Sequence, residues 1–203
     1  DFKKYKEDKN QRLVHAISVG SPSHLHFTYD LDKGALFQVW RGEFLDATPM
    51  WDNRGDGSSR PRGSVTGLGT GMVLGKLNAN AAWEADTTGS SFRQKGYNLD
   101  ESNIPTFNYN AFGTTVTDRI EAMNNQYFQR VITVANPGKD LFARLANGKS
   151  IEKVSNDLYA VDNKAYYIQI SDKSYKPEIR TINGTQELLI PVKTGEVEYA
   201  ILF

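Results

Sequence analysis

Short runs in which every second residue is apolar, each closed by turn residues, constrain this chain more than any other feature. LVHAISVG (13–20), HLHFTYDLD (24–32) and ALFQVWRG (35–42) are rich in β-branched and aromatic residues and alternate with period two. Asp30-Leu31-Asp32-Lys33, followed by Gly34, supplies hairpin-turn chemistry between the second and third runs. The pattern recurs in MVLGKL, SSFRQKGYNL, TFNYNAFG, TTVTDRIEAM, QYFQRVITVAN, DLFARLANG, DLYAVD, AYYIQIS, QELLIPVK and EVEYAILF. Asn136-Pro137-Gly138, Asn147-Gly148 and Asn183-Gly184 punctuate many of them. In QYFQRVITV, alternation puts Phe128, Arg130, Ile132 and Val134 on one face, and Tyr127, Gln129, Val131 and Thr133 on the other.

Helical periodicity is scarce. The charged segment FKKYKEDKNQRL (2–13) is its best candidate, so residues 1–12 are expected to be a linker or a short helix ahead of a single domain over 13–203. About a dozen short strands with tight turns predict an all-β chain, a mostly antiparallel β-sandwich with little helix, rather than alternating βαβ units. No repeat of fixed period is present. Gly42 to Gly71, roughly thirty residues, is expected to be a loop, and ordered loops of that length are commonly functional.

The totals exclude several classes of function. The 24 basic and 24 acidic residues cancel, which gives no field to hold nucleic acid and no polybasic patch for an anionic membrane. No apolar run approaches the ~20 residues of a spanning helix, so no membrane insertion is expected. With no cysteine, disulfides, thiolate metal sites and covalently attached haem are excluded, and no cofactor is expected within the chain. Three histidines, His15, His24 and His26, make a histidine-rich metal site unexpected. His24 and His26 share a face if both lie on a strand, and the expectation is satisfied structural histidines. The chain begins at Asp1 with no secretory leader, which reads as a mature or excised piece.

Two of the three tryptophans fall in FQVWRGEFLDATPMWDNRGDGSSRPRG (37–63), among charges. Trp40 ends a strand pattern and Trp51 sits in the expected loop. In one reading Trp51 pins the loop to a sheet while Trp40 packs in the core. In the other, an aromatic face stacks on a sugar ring while neighbouring polar groups bond its hydroxyls. The candidate binding residues are Trp40, Arg41, Asp46, Trp51, Asp52 and Arg54, with Asn53 beside them.

Other motifs are weaker. DNRGDG (52–57) fails as an EF-hand loop, because Arg54 stands where a ligand belongs and Gly63 takes the place of the bidentate glutamate. Arg54-Gly55-Asp56 spells an adhesion tripeptide, but ordinary turn chemistry explains it. VTGLGTGMVLG (65–75) does not complete a dinucleotide fingerprint and reads as a flexible approach to a strand. Glu43, Asp46 and Asp52, or Asp118 and Glu121, are candidate glycosidase carboxylates whose separation the spacing does not fix. Asn183-Gly184-Thr185 fits a glycosylation acceptor and equally a bare hairpin turn.

The run from His15 to Gly57 resembles a β-rich module of large extracytoplasmic bacterial proteins, common in Bacteroidota and Planctomycetes, that combine c-type cytochrome domains with sugar-dehydrogenase-like propellers. The matching residues are Val19-Gly20-Ser21-Pro22, His26-Phe27, Tyr29-Asp30, Trp40-Arg41-Gly42, Phe44-Leu45-Asp46, Trp51 and Arg54-Gly55. FRQKGYNLDESNIPTFNYNAFGTTVTDRIE (92–121) is similar to a second segment of the module. Together the two patches cover roughly half the chain. The resemblance implies a periplasmic or extracellular protein linked to sugar oxidation or glycan breakdown, with any haem or quinone in neighbouring domains. It carries over no catalytic residue.

Three functions remain open on sequence. The leading one is a non-catalytic accessory module that binds carbohydrate or docks a neighbouring domain. The others are a glycan-active hydrolase or lyase using loop carboxylates, and a purely structural packing module.

Overall fold

The computed structural model describes residues 12–51, 55 and 57–203, and the backbone alone of 2–4 and 9–11. Strands β1 (Phe2–Lys4) and β2 (Lys9–Gln11) pair as an antiparallel ribbon, where a linker or short helix was expected. Strands β3 (Ala16–Val19), β4 (Leu25–Asp30), β5 (Ala35–Asp46) and β6 (Arg60–Gly67) then form a four-stranded antiparallel sheet in chain order. After β7 (Leu74–Lys76) come four strands each paired with the next, β8 (Arg93–Leu99), β9 (Pro105–Ala111), β10 (Thr114–Met123) and β11 (Tyr127–Val134). The remaining strands are β12 (Leu141–Gly148), β13 (Ile151–Lys153), β14 (Leu158–Val161), β15 (Tyr166–Gln169), β16 (Glu178–Ile182), β17 (Thr185–Pro191) and β18 (Glu196–Leu202).

The chain is all-β and antiparallel, as expected. An eight-stranded sheet has the order β13-β14-β15-β18-β11-β10-β9-β8, and a second four-stranded sheet the order β16-β17-β12-β7. One continuous apolar cluster draws on all three sheets, from Phe27 and Val39 through Phe107, Phe128 and Ile132 to Leu188 and Ile190. Alternation creates it: along β11, Phe128, Arg130, Ile132 and Val134 are buried while the residues between them are partly or fully exposed. Across the sheets, Tyr29 stacks on Phe107 at 3.8 Å and Phe27 meets Phe128 edge-on at 5.4 Å.

Turn chemistry behaves as its residues dictate. Asn183 and Gly184 both take positive φ, 49° and 75°, in the two-residue link from β16 to β17, so this site is a hairpin turn whatever else it carries. Asp30 Oδ1 accepts the Asp32 N–H at 2.9 Å in the β4–β5 turn.

The expected thirty-residue loop is shorter. β5 continues past Gly42 to Asp46, and β6 pairs back along it from Asp46↔Arg60 to Gln38↔Gly67. A 3₁₀ turn at Thr48–Met50 follows β5, so strands replace the expected loop over 42–46 and 60–67, and residues 68–71 lie outside any strand. The β6 sequence RPRGSVTG faces solvent for much of its length and lacks an apolar alternation to announce it.

Candidate functional site

Gly42 has φ +120°, and a register shift follows between Glu43 and Leu45. The strand therefore bends over its own outer face. His26, Thr28, Gln38 and Trp40 lie on that face, away from the inter-sheet core, yet all four are buried. Trp40 is 0 % exposed, packed as one reading expected and closed to a ligand, although it lies outside the main apolar cluster. Its indole N–H is shared by the carbonyls of Glu43 at 3.1 Å and Phe44 at 3.0 Å, and its ring lies 5.4 Å from His26. A buried ring with its one polar atom occupied has no face for a ligand.

Phe44 is the outer layer of this small cluster. It packs on Trp40 and on His26, and Gly20 admits it, since a Cβ at Gly20 would come within 3.0 Å of the Phe44 ring. Beyond Phe44 lies a groove of about 660 Å³, within the size range of small-ligand sites. Its walls come from Arg12, Val14, Leu45, Met50, Ser58 and Ser59, among others. Val14 is 76 % exposed and Met50 58 %; Trp51, which follows Met50 in the chain, is 63 % exposed. Pro49, beside Met50, ties the chain to Gly57: its carbonyl accepts the Gly57 N–H at 2.9 Å, and Gly55 packs against its ring.

The other expected binding residues divide. Arg41 points to the inner side, where Nε donates to the Phe203 main-chain oxygen at 3.1 Å and Nη2 to the Gln126 carbonyl. Its guanidinium also lies 4.8 Å from the centre of the Phe203 ring, so it ties β5 to the end of β18. Asp46 leads into the 3₁₀ turn, with Oδ1 accepting the Thr48 N–H at 2.9 Å. The Thr48 hydroxyl and N–H, with Arg62 and Arg60 nearby, hold its carboxyl below the ordinary range. Asp52 and Arg54, with Asn53 and Asp56, lie outside the described residues. Val14 and Met50 were not singled out in the sequence, and Phe44 only as part of the resemblance. The signal was there for Met50, a large apolar residue between Pro49 and Trp51 in a polar stretch.

The histidines do not converge on a ligand. His26 Nδ1 accepts the Ser21 N–H at 3.2 Å and Nε2 donates to the Gly42 carbonyl at 2.8 Å, which assigns the Nε2–H tautomer. His24, with φ +57° in the turn before β4, reaches the same carbonyl at 3.3 Å, and His15 bonds Asp32 at 2.9 Å. Among the described residues no group of three or more His, Asp or Glu is placed to hold a metal.

Carboxylate pairing is not favoured by the geometry. Asp118 is fully buried, and it is bound to Arg130 through Oδ1 to Nε at 2.9 Å and Oδ2 to Nη2 at 2.6 Å. Glu121, three residues along β10, bonds Arg119 near the surface. Among the described residues no carboxylate lines the groove. No protein-family model matches the chain. No curated protein and no solved structure matches it either.

Proposed function

We propose that this chain is a non-catalytic binding module of an extracytoplasmic protein, and that its groove takes a carbohydrate. The observation that carries the reading is Trp51, an indole 63 % exposed that directly follows Met50, a wall residue of the groove floored by Phe44. An exposed indole is an apolar plane on which the C–H face of a sugar ring packs, and Arg12, Ser58 and Ser59 supply hydrogen-bonding groups along the walls. The β-sandwich supports the groove rigidly from below through the Trp40–Phe44 stack. The resemblance to modules of sugar-oxidising envelope proteins supports the same substrate class and a periplasmic or extracellular address.

A second reading has a neighbouring domain in the groove. Val14 and Met50 favour it, because two exposed aliphatic side chains suit a protein surface better than a sugar. A glycan array probed with the wild-type chain and with Trp51→Ala separates the readings. Retention of a glycan by the wild type and its loss in the variant supports carbohydrate. No bound glycan on the array removes that reading and leaves domain docking.

A further inference from the structure

The glycine-rich stretch VTGLGTGMVLG is unused by the groove, and it closes a different site. Leu68 to Val73 pass over the junction of the three sheets and cover a cavity of about 40 Å³. Arg130 of β11 and Arg144 of β12 both line it, with Tyr199 of β18 between the layers. The glycines are required there. Gly69 and Gly71 have φ +101° and +100°, and a Cβ at Gly69 would lie 2.8 Å from Asn147 Oδ1. Trp83 packs behind this segment, with its ring centre 5.4 Å from the Arg144 guanidinium and its N–H donating to the Met72 carbonyl.

We infer that this cavity binds a small inorganic anion of halide size. Charge is the first ground. Arg130 is matched by the two oxygens of Asp118. Arg144 is not matched, since it shares the single carboxylate of Glu187 with Arg180, at 3.4 Å against 2.6 Å for Arg180. Glu187 is 3 % exposed at its side chain, Arg144 11 % and Arg180 13 %, so one net positive charge sits in a nearly dry cluster.

Donor count is the second ground. A guanidinium carries five N–H bonds, and Arg144 places two of them, on Glu187 and on the Thr70 carbonyl. The Tyr199 hydroxyl accepts from Arg130 at 3.0 Å and keeps its own proton to donate. The Tyr166 hydroxyl, within electrostatic range of Arg144 and Tyr199, is buried without a protein partner. Donors in excess of acceptors around a buried cation call for an acceptor with negative charge.

Size sets the class. At ~10–15 Å³ of such volume per water, the cavity holds a halide with a water or two and leaves no room for a sugar or a nucleotide.

Bromide is the probe. Crystals soaked in sodium bromide should give an anomalous peak in the cavity beside the Arg144 guanidinium. Replacing sodium gluconate by sodium bromide at constant ionic strength should raise the melting temperature saturably. Arg144→Met should abolish that rise. Arg180→Gln, at a more exposed position, should weaken it at least several-fold by freeing Glu187 for Arg144, and it serves if Arg144→Met does not fold. A cavity with no anomalous peak, or a bromide effect unchanged in Arg180→Gln, overturns the assignment.

Discussion

Trp40 and Phe44, four residues apart on β5, lie with ring centres 6.2 Å apart and planes 6° from parallel. A straight strand would hold those positions about 13 Å apart. The bend at Gly42 and the shift after Glu43 close that distance, so one strand folds its end over its own middle. The same bend that buries Trp40 raises Phe44 into the groove.

Trp40→Ala should therefore cost about 3–5 kcal/mol of stability, the range for deleting a fully buried aromatic. Trp51→Ala should stay within about 0.5 kcal/mol, as exposed positions do. Urea denaturation of both variants checks the pair. Equal losses would make Trp51 a second structural ring.

Two glycines of β6 should respond oppositely to alanine. A Cβ at Gly63 would collide with the Arg41 carbonyl, which the β5–β6 ladder holds in place, so Gly63→Ala should destabilise strongly. At Gly67 a Cβ meets nothing within 4 Å and φ is not positive, so Gly67→Ala should gain about 0.4–1 kcal/mol through the unfolded chain. Thermal melts compare them directly.

The chain's β-rich character was legible because β9, β10 and β11 bury alternate residues, the one signal that sequence carries without tertiary context. β6, β13 and β16 were missed. They are polar or only three residues long, and pairing rather than composition makes them strands. The burial of Trp40 was legible, but its face was not, because its cover comes from a bend that no alternation announces. Trp51 stood out for the opposite reason, as a large ring in a stretch with no strand pattern. The groove beside Met50 needed Val14, which precedes β3 and is remote in sequence.

The buried Asp118–Arg130 pair also binds both neighbouring tyrosines, with the Tyr29 hydroxyl donating to Asp118 at 2.8 Å. Burial works against the Arg130 charge, and Asp118 more than offsets it, holding the guanidinium firmly protonated. Asp118→Ala leaves that cation without its carboxylate and should cost about 3–5 kcal/mol. Asp118→Leu with Arg130→Met should cost less than Asp118→Ala alone. Denaturant midpoints of the three variants decide the ordering.

Tyr29, Tyr109, Tyr166 and Tyr199 have hydroxyls pushed up by burial, so the folded chain keeps four of its ten tyrosines protonated well above pH 10. The unfolded chain releases those protons near pH 10, so it binds fewer than the folded chain there, and stability falls as pH rises. An absorbance titration at the phenolate band should show these four ionising only with alkaline unfolding. Smooth titration of all ten, with the fold intact, would contradict the burial.

The binding account rests most directly on Trp51, and calorimetric titration is its test. The best-bound array glycan is titrated into the wild-type chain and into Trp51→Ala, after both are shown to melt at the same temperature. The account predicts a loss of about 2 kcal/mol, the scale of an aromatic hot spot, or roughly 30-fold in affinity. Equal affinities in the two chains would contradict it.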